Sequence, residues 1–161
     1  MRATVRALLA AALLAAASIT PAAAQLEVRG DSLPARVFTA AELAALPHAE
    51  VRATEHGRTA TFSGVPLDSL LRRAGVPIDS VRGRRVADYV VVLAADGYRA
   101  VFSLAELDPG LGGRTVLVAD RRDGQPLAAA EGPLRLVVPG DGRPTRWVRQ
   151  VTTFVIRRAS P

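Results

Sequence analysis

Four arginines, Arg135, Arg143, Arg146 and Arg149, crowd one short stretch around the only tryptophan, Trp147. Guanidinium forks pair bidentately with carboxylates and phosphates, and a loop rich in Gly and Pro leaves backbone N–H groups free to face an anion. The pattern therefore predicts a cradle for a negatively charged guest, with the guanidinium groups converging on one hollow. The same spacing also suits the solvated rim of an ordinary hairpin.

Other residue types that carry chemistry are poorly arranged. His48 and His56 stand eight positions apart with Glu50 and Glu55 between them, without the HxxH or HxxxH spacing that brings metal ligands together on one face. Ser63 lacks the G-x-S-x-G elbow of a nucleophilic serine. Asp96 and Asp123 each precede a glycine and read as turn residues, whereas Glu42 and Glu106 read as helix caps. Gly140-Asp141-Gly142 leads into no predicted helix, which excludes a dinucleotide fingerprint. The sequence has no cysteine, so it offers neither disulfide, thiolate nucleophile nor sulfur-ligated metal.

The elements that must position the arginines begin with Leu134 to Val138, a β-branched apolar run that suits a buried strand. Pro139-Gly140 stops it. Asp141, Gly142 and Pro144 form a loop, and Trp147 to Ile156 reads as a second extended run.

Earlier in the chain, Leu26 to Arg29 alternates into a short strand. Thr39-Ala40-Ala41-Glu42 is a capping box that starts a helix over Ala40 to Leu46, ahead of Pro47. Val51 to Phe62 reads as two strands turning at His56-Gly57. Leu67, Leu70, Leu71 and Ala74 share one helical face, with Pro66 near the first turn and Gly75 just past the end. Val86 to Ala94 is the strongest strand, and Asp96-Gly97 is a type I′ pair that turns it into Tyr98 to Phe102. Ser103-Leu104-Ala105-Glu106 is a second capping box. Val116 to Ala119 is a short apolar strand, and Asp123-Gly124 is another turn. Strands outnumber helices without βαβ alternation, which predicts an α+β fold: a mainly antiparallel mixed sheet with short helices.

Arg2 and Arg6 precede an apolar run from Ala7 to Ile19 that ends in Pro21-Ala22-Ala23-Ala24, the pattern of a secretory signal peptide over residues 1–24. The expectation is an exported, periplasmic or secreted protein, with residues 25–161 as one domain and no membrane span after cleavage. The net charge of +6 includes two arginines of this leader. What remains is too small an excess, with too few aromatics, to argue for nucleic acid.

The chain resembles the molybdopterin-binding domain of the sulfite oxidase family, in its short exported bacterial form. The resemblance is carried in order by Leu26-x-Val28-x-Gly30, Phe38 to Glu42-Leu43, Leu46-Pro47 and Phe62-Ser63-Gly64-Val65-Pro66-Leu67. Leu70-Leu71, Ala74-Gly75, Ala95-Asp96-Gly97-Tyr98 and Leu104 follow, then Gly132-Pro133-Leu134-Arg135-Leu136-Val137-Val138-Pro139-Gly140 and Arg146-Trp147-Val148. It implies an oxidoreductase fold that holds molybdenum through a pterin dithiolene, with basic residues and backbone amides on the pterin phosphate. Arg146 matches the family's usual Lys, Arg135 and Arg143 are its neighbours, and Trp147 walls the pocket. Arg brings a planar fork where Lys brings a point charge.

Three departures accompany the matches. The family's molybdenum-ligating cysteine should fall between about Thr54 and His56, where this chain has none. Ala130-Glu131 stands where the family often has His-Gly, and the loop from Pro139 to Arg146 is short. Two functions follow from the resemblance: an oxidoreductase-like domain binding a molybdopterin-type anionic cofactor, or a non-catalytic accessory module using the same fold for a small anion or a periplasmic protein partner.

Overall fold

The computed structural model describes residues 25–159, so the predicted signal peptide lies outside the described residues. Ten strands and three short helices follow in order: β1 (Gln25–Gly30), β2 (Leu33–Thr39), α1 (Ala40–Ala44), β3 (Ala49–Glu55), β4 (Arg58–Pro66), α2 (Leu67–Arg73), β5 (Tyr89–Ala94), β6 (Arg99–Ser103), α3 (Leu104–Leu107), β7 (Leu117–Arg122), β8 (Gln125–Pro126), β9 (Arg135–Val137) and β10 (Val151–Arg157). Among the described residues no helix is long and apolar enough to cross a membrane.

The strands form two sheets rather than one. The first has the order β2-β1-β10-β5-β6, the second β3-β4-β7-β8 with β9 also on β7. Every pairing is antiparallel except β1 with β10. The α+β class read from the sequence is the class observed. Alternation fixes which faces are buried: Val90, Val92 and Ala94 point inward from β5, while Val91 and Leu93 between them are only partly buried. Apolar side chains from both sheets and from α2 join one buried cluster, in which Phe38, Phe62, Phe102 and Phe154 are the largest fully buried apolar members and Trp147 is buried beside them.

Local signals explain the helix starts. Both capping boxes form: Thr39 with Glu42, and Ser103 with Glu106. Helix α1 ends at Ala44, two residues short of the span read from the sequence. Leu67, Leu70 and Leu71 of α2 are fully buried, and Gly75 takes a positive φ of 90° just after the helix.

Three expectations change. The strand read from Val86 starts at Tyr89, because Gly83–Ala87 is a 3₁₀ turn and Val86, with no strand beside it, is exposed. Asp96-Gly97 is not a type I′ turn, since only Gly97 has positive φ. The Asp96 carboxylate accepts from the Tyr98 N–H at 2.9 Å, and the Gly97 N–H donates to the Ala94 carbonyl, so the glycine closes a longer loop as a bulge. His56-Gly57 and Asp123-Gly124 are the pairs with positive φ at both residues.

The third change bears on function. Leu134–Val138 and Trp147–Ile156 are not the two arms of a hairpin: β9 belongs to the second sheet and β10 to the first. Isolated bonds join them, Leu136 N–H to Val148 O and Val151 N–H to Leu134 O. The run from Trp147 stays irregular as far as Gln150, whose φ is 48°. Trp147 sits just after the 3₁₀ turn Pro144–Arg146, and its indole N–H is spent on the Val138 carbonyl at 3.0 Å. The arginine-rich loop therefore crosses from one sheet to the other.

Candidate functional site

Where that loop crosses, a hollow of about 590 Å³ opens against two other turns, within the size range of small-molecule pockets. The β3–β4 turn contributes Glu55 and His56, the β5–β6 turn contributes Asp96 and Tyr98, and the crossing loop contributes Arg143, Trp147 and Arg149. The Tyr98 hydroxyl donates to the Thr145 carbonyl at 2.8 Å, which ties two of the three walls together.

The four arginines do not share one hollow. Arg143 is exposed on its rim, and no carboxylate of the described residues pairs with it. Arg149 also reaches the rim, with Nη2 3.5 Å from the Glu55 carboxylate. Arg135 lies behind the wall with no exposed surface. Its Nη2 donates to Glu55 at 3.1 Å, and its Nη1 stands 3.1 Å from Glu131. Its guanidinium packs 5.4 Å from the centre of Phe62 and 5.7 Å from that of Trp147, and the two rings meet edge to face. Arg135 Nε and Nη1 make no hydrogen bond, so the approach of Nη1 to Glu131 is an ion pair alone.

Arg146 is turned away altogether. It grips Asp141 with two bonds, from Nε at 2.9 Å and from Nη2 at 2.7 Å. Its Nη1 donates to Glu106 at 3.2 Å, and the guanidinium stacks 4.4 Å over Phe102. Asp141 foremost, despite the cost of partial burial, raises the Arg146 pKa above its ordinary value. Arg114 adds a second guanidinium to the same pair of acids, 2.8 Å from Asp141 and 3.4 Å from Glu106. The expected convergence fails here for a physical reason: these acids already satisfy the fork that would face an anion.

Of the residues read from the sequence, the hollow brings together Arg143 and Trp147. Arg149, one of the four arginines of the predicted cradle but not among the residues that the family resemblance implies, also reaches it, whereas Tyr98 as a wall went unread, since no local spacing links turns from different sheets. One signal did exist. The segment Thr54 to His56, marked as the place of the family's cysteine, delivers Glu55 and His56 to this hollow.

The cofactor implied by the resemblance fits in one part and not in another. Arg143 and Arg149 can meet a phosphate, and the indole of Trp147 can wall a flat ring. The walls offer oxygen and nitrogen donors but no sulfur, and among the described residues no group of three His, Asp or Glu can hold a metal. The hollow therefore fits the anionic end of such a group and does not complete a thiolate-ligated metal centre.

No curated protein matches the chain in sequence. Among solved structures, the sulfane dehydrogenase SoxCD from Paracoccus pantotrophus is similar, with a TM-score of 0.66 at 22% identity over 83% of this chain. The match covers 38% of that enzyme's chain, so the protein spans well under half its length, and the likeness is one of fold. The family model described as oxidoreductase molybdopterin binding domain matches residues 13–160. With that model covering both sheets and the crossing loop between them, the chain belongs to the sulfite-oxidase-type molybdopterin-binding domain family.

Proposed function

We propose that this protein is an exported binding module of the family, which holds a phosphate-bearing ligand of the molybdopterin type in the hollow without building a thiolate-ligated redox centre. The observation that carries this reading is Arg143, a guanidinium on the rim with no acid among the described residues to satisfy it. A phosphate would supply the missing partner, with Arg149 on the other side. Glu55 does not cancel this attraction, because its charge is shared with Arg135 and Arg149. Export rests on the pattern of residues 1–24 and is tested by cell fractionation.

The test is metal analysis and pterin fluorescence on protein purified from its native compartment, with calorimetric titration of inorganic phosphate and a phosphate monoester. Pterin or phosphate binding should be weakened about tenfold by Arg143→Ala, the loss of one charge-assisted contact. Arg72→Ala should leave it unchanged, since Arg72 lies on α2 paired with Asp79. Equal effects of the two variants, or no binding by the wild type, would sink the reading.

A second occupant, a protein partner, is favoured by one observation. Strand β6 is a sheet edge that follows Tyr98 of the hollow's wall, and its Val101 is 51% exposed. Pull-down from a periplasmic extract with Val101→Lys as control tests it, and capture by both proteins alike would count against β6.

A further inference from the structure

A second hollow, of about 630 Å³, shares no lining residue with the first. It opens between the β1–β2 turn, the loop after α2 and the end of β10. Its floor is apolar, with Leu33, Val76, Leu104 and Ile156.

Asp88 stands in its wall with a side chain only 9% exposed. Its Oδ1 is buried and receives no hydrogen bond. The nearest cations are too far for a good bond: Arg158 Nε is 3.6 Å from Oδ1 and Arg85 Nε 3.8 Å from Oδ2. Arg85 is committed elsewhere, donating to the Pro77 carbonyl at 2.7 Å. Arg157 is paired with Asp31. That leaves, at the wall of the hollow, two opposite charges that face each other at 3.6 Å and make no side-chain hydrogen bond among the described residues: the carboxylate of Asp88, and the guanidinium of Arg158, whose side chain is 70% exposed and must swing aside to admit a guest to Oδ1. A buried carboxylate without donors is costly, so a guest bringing an N–H group is favoured here.

The signs select the guest. A purely cationic ligand would lie among Arg85, Arg157 and Arg158, and a purely anionic one would leave Asp88 bare. A zwitterion answers both, and the apolar floor asks for a hydrocarbon side chain. We infer that this hollow is a binding site for a free aliphatic α-amino acid, its ammonium donating to Asp88 Oδ1, its carboxylate accepting from Arg158 and its side chain lying over Leu33, Val76, Leu104 and Ile156.

The experiment is calorimetry on the whole protein with L-leucine and two truncated forms of it, 3-methylbutylamine, which lacks the carboxylate, and 4-methylpentanoate, which lacks the ammonium. Leucine should saturate, and each truncated form should bind about tenfold more weakly or worse. Asp88→Asn keeps the shape of the side chain and should reduce leucine affinity by a similar factor, as should Arg158→Ala. Amide shifts in NMR spectra should move at Val76, Leu104 and Ile156, and stay still at Trp147. If Asp88→Asn does not fold, as circular dichroism would show, the ligand series on the wild type decides. No saturation by leucine up to roughly 10 mM, or equal binding of the three compounds, overturns the assignment.

Discussion

The guanidinium of Arg135 lies 3.1 Å from the carboxylate of Glu55, eighty positions earlier in the chain, and both side chains are buried. The pair joins β9 to the end of β3 behind the wall of the first hollow. It also extends into a chain of alternating charge, since Glu55 reaches Arg149 on the rim while Glu131 links Arg135 to Arg122. Charge at the hollow is thereby coupled to packing in the core, with Phe62 and Trp147 flanking the central guanidinium.

Removing one partner of a buried pair leaves the other charge uncompensated, a loss of about 3–5 kcal/mol. Arg135→Met keeps much of the volume and strips the charge from between two carboxylates. It should lower the urea midpoint by an amount equivalent to about 3 kcal/mol, with the slope of the transition unchanged. A midpoint equal to that of the wild type would show that Arg149 and Arg122 alone satisfy Glu55 and Glu131.

The same pair makes stability depend on pH. Burial pushes the Glu55 pKa up, but the hydrogen bond and charge of Arg135, followed by those of Arg149, outweigh it and hold the carboxylate below its ordinary value. A pKa that is lower folded than unfolded contributes stability above the ordinary glutamate value, and that contribution is lost as pH falls through the folded-state value. Glu55→Gln should therefore destabilise the protein at neutral pH and flatten the acid limb of its stability curve. Urea titrations at a series of acidic pH values measure both effects, and parallel curves for variant and wild type would contradict the coupling.

Arg146 carries a different expectation from Arg143. Its fork is closed by Asp141 and Glu106, and its face lies on Phe102. Arg146→Ala should cost about 1–3 kcal/mol of stability by leaving hydrogen-bonded acids short of a donor. Thermal melts alongside phosphate titrations separate stability from affinity. A variant that melts like the wild type but fails to bind phosphate would return Arg146 to the site.

What could be read from the sequence was what lies within a few residues. Both capping boxes, the apolar face of α2 and the His56-Gly57 turn depend on neighbours, and they form where their residues stand. The roles of the arginines depend on acids brought from afar: Glu55 to Arg135 across eighty positions, Glu106 to Arg146 across forty. Composition showed the guanidinium groups but not which of them were already spent. The pairing of β9 and β10 failed for the same reason, since nearness in sequence suggested a hairpin and tertiary pairing sent each strand to its own sheet.

Gly64 shows how a family motif acquires a physical meaning. In Phe62-Ser63-Gly64-Val65-Pro66-Leu67, the ladder from β4 to β7 shifts register between Ser63 and Gly64, and Phe62 is buried edge to face against Trp147. A Cβ at Gly64 would come within 2.1 Å of the Val118 carbonyl oxygen and 2.5 Å of the Ala119 Cα. Those are backbone atoms of a paired strand, which cannot turn aside as a side chain can. Gly64→Ala should therefore push β7 off β4 and cost about 3 kcal/mol, at the upper end for an overpacked site, with part of the protein lost to aggregation. Gly57→Ala is the control, because a Cβ there meets nothing within 4 Å and the price is only that of a positive φ. Soluble yield and urea midpoints of the two variants decide the matter: Gly64→Ala should be clearly the less stable, and equal midpoints would mean that β7 yields to the methyl group without cost.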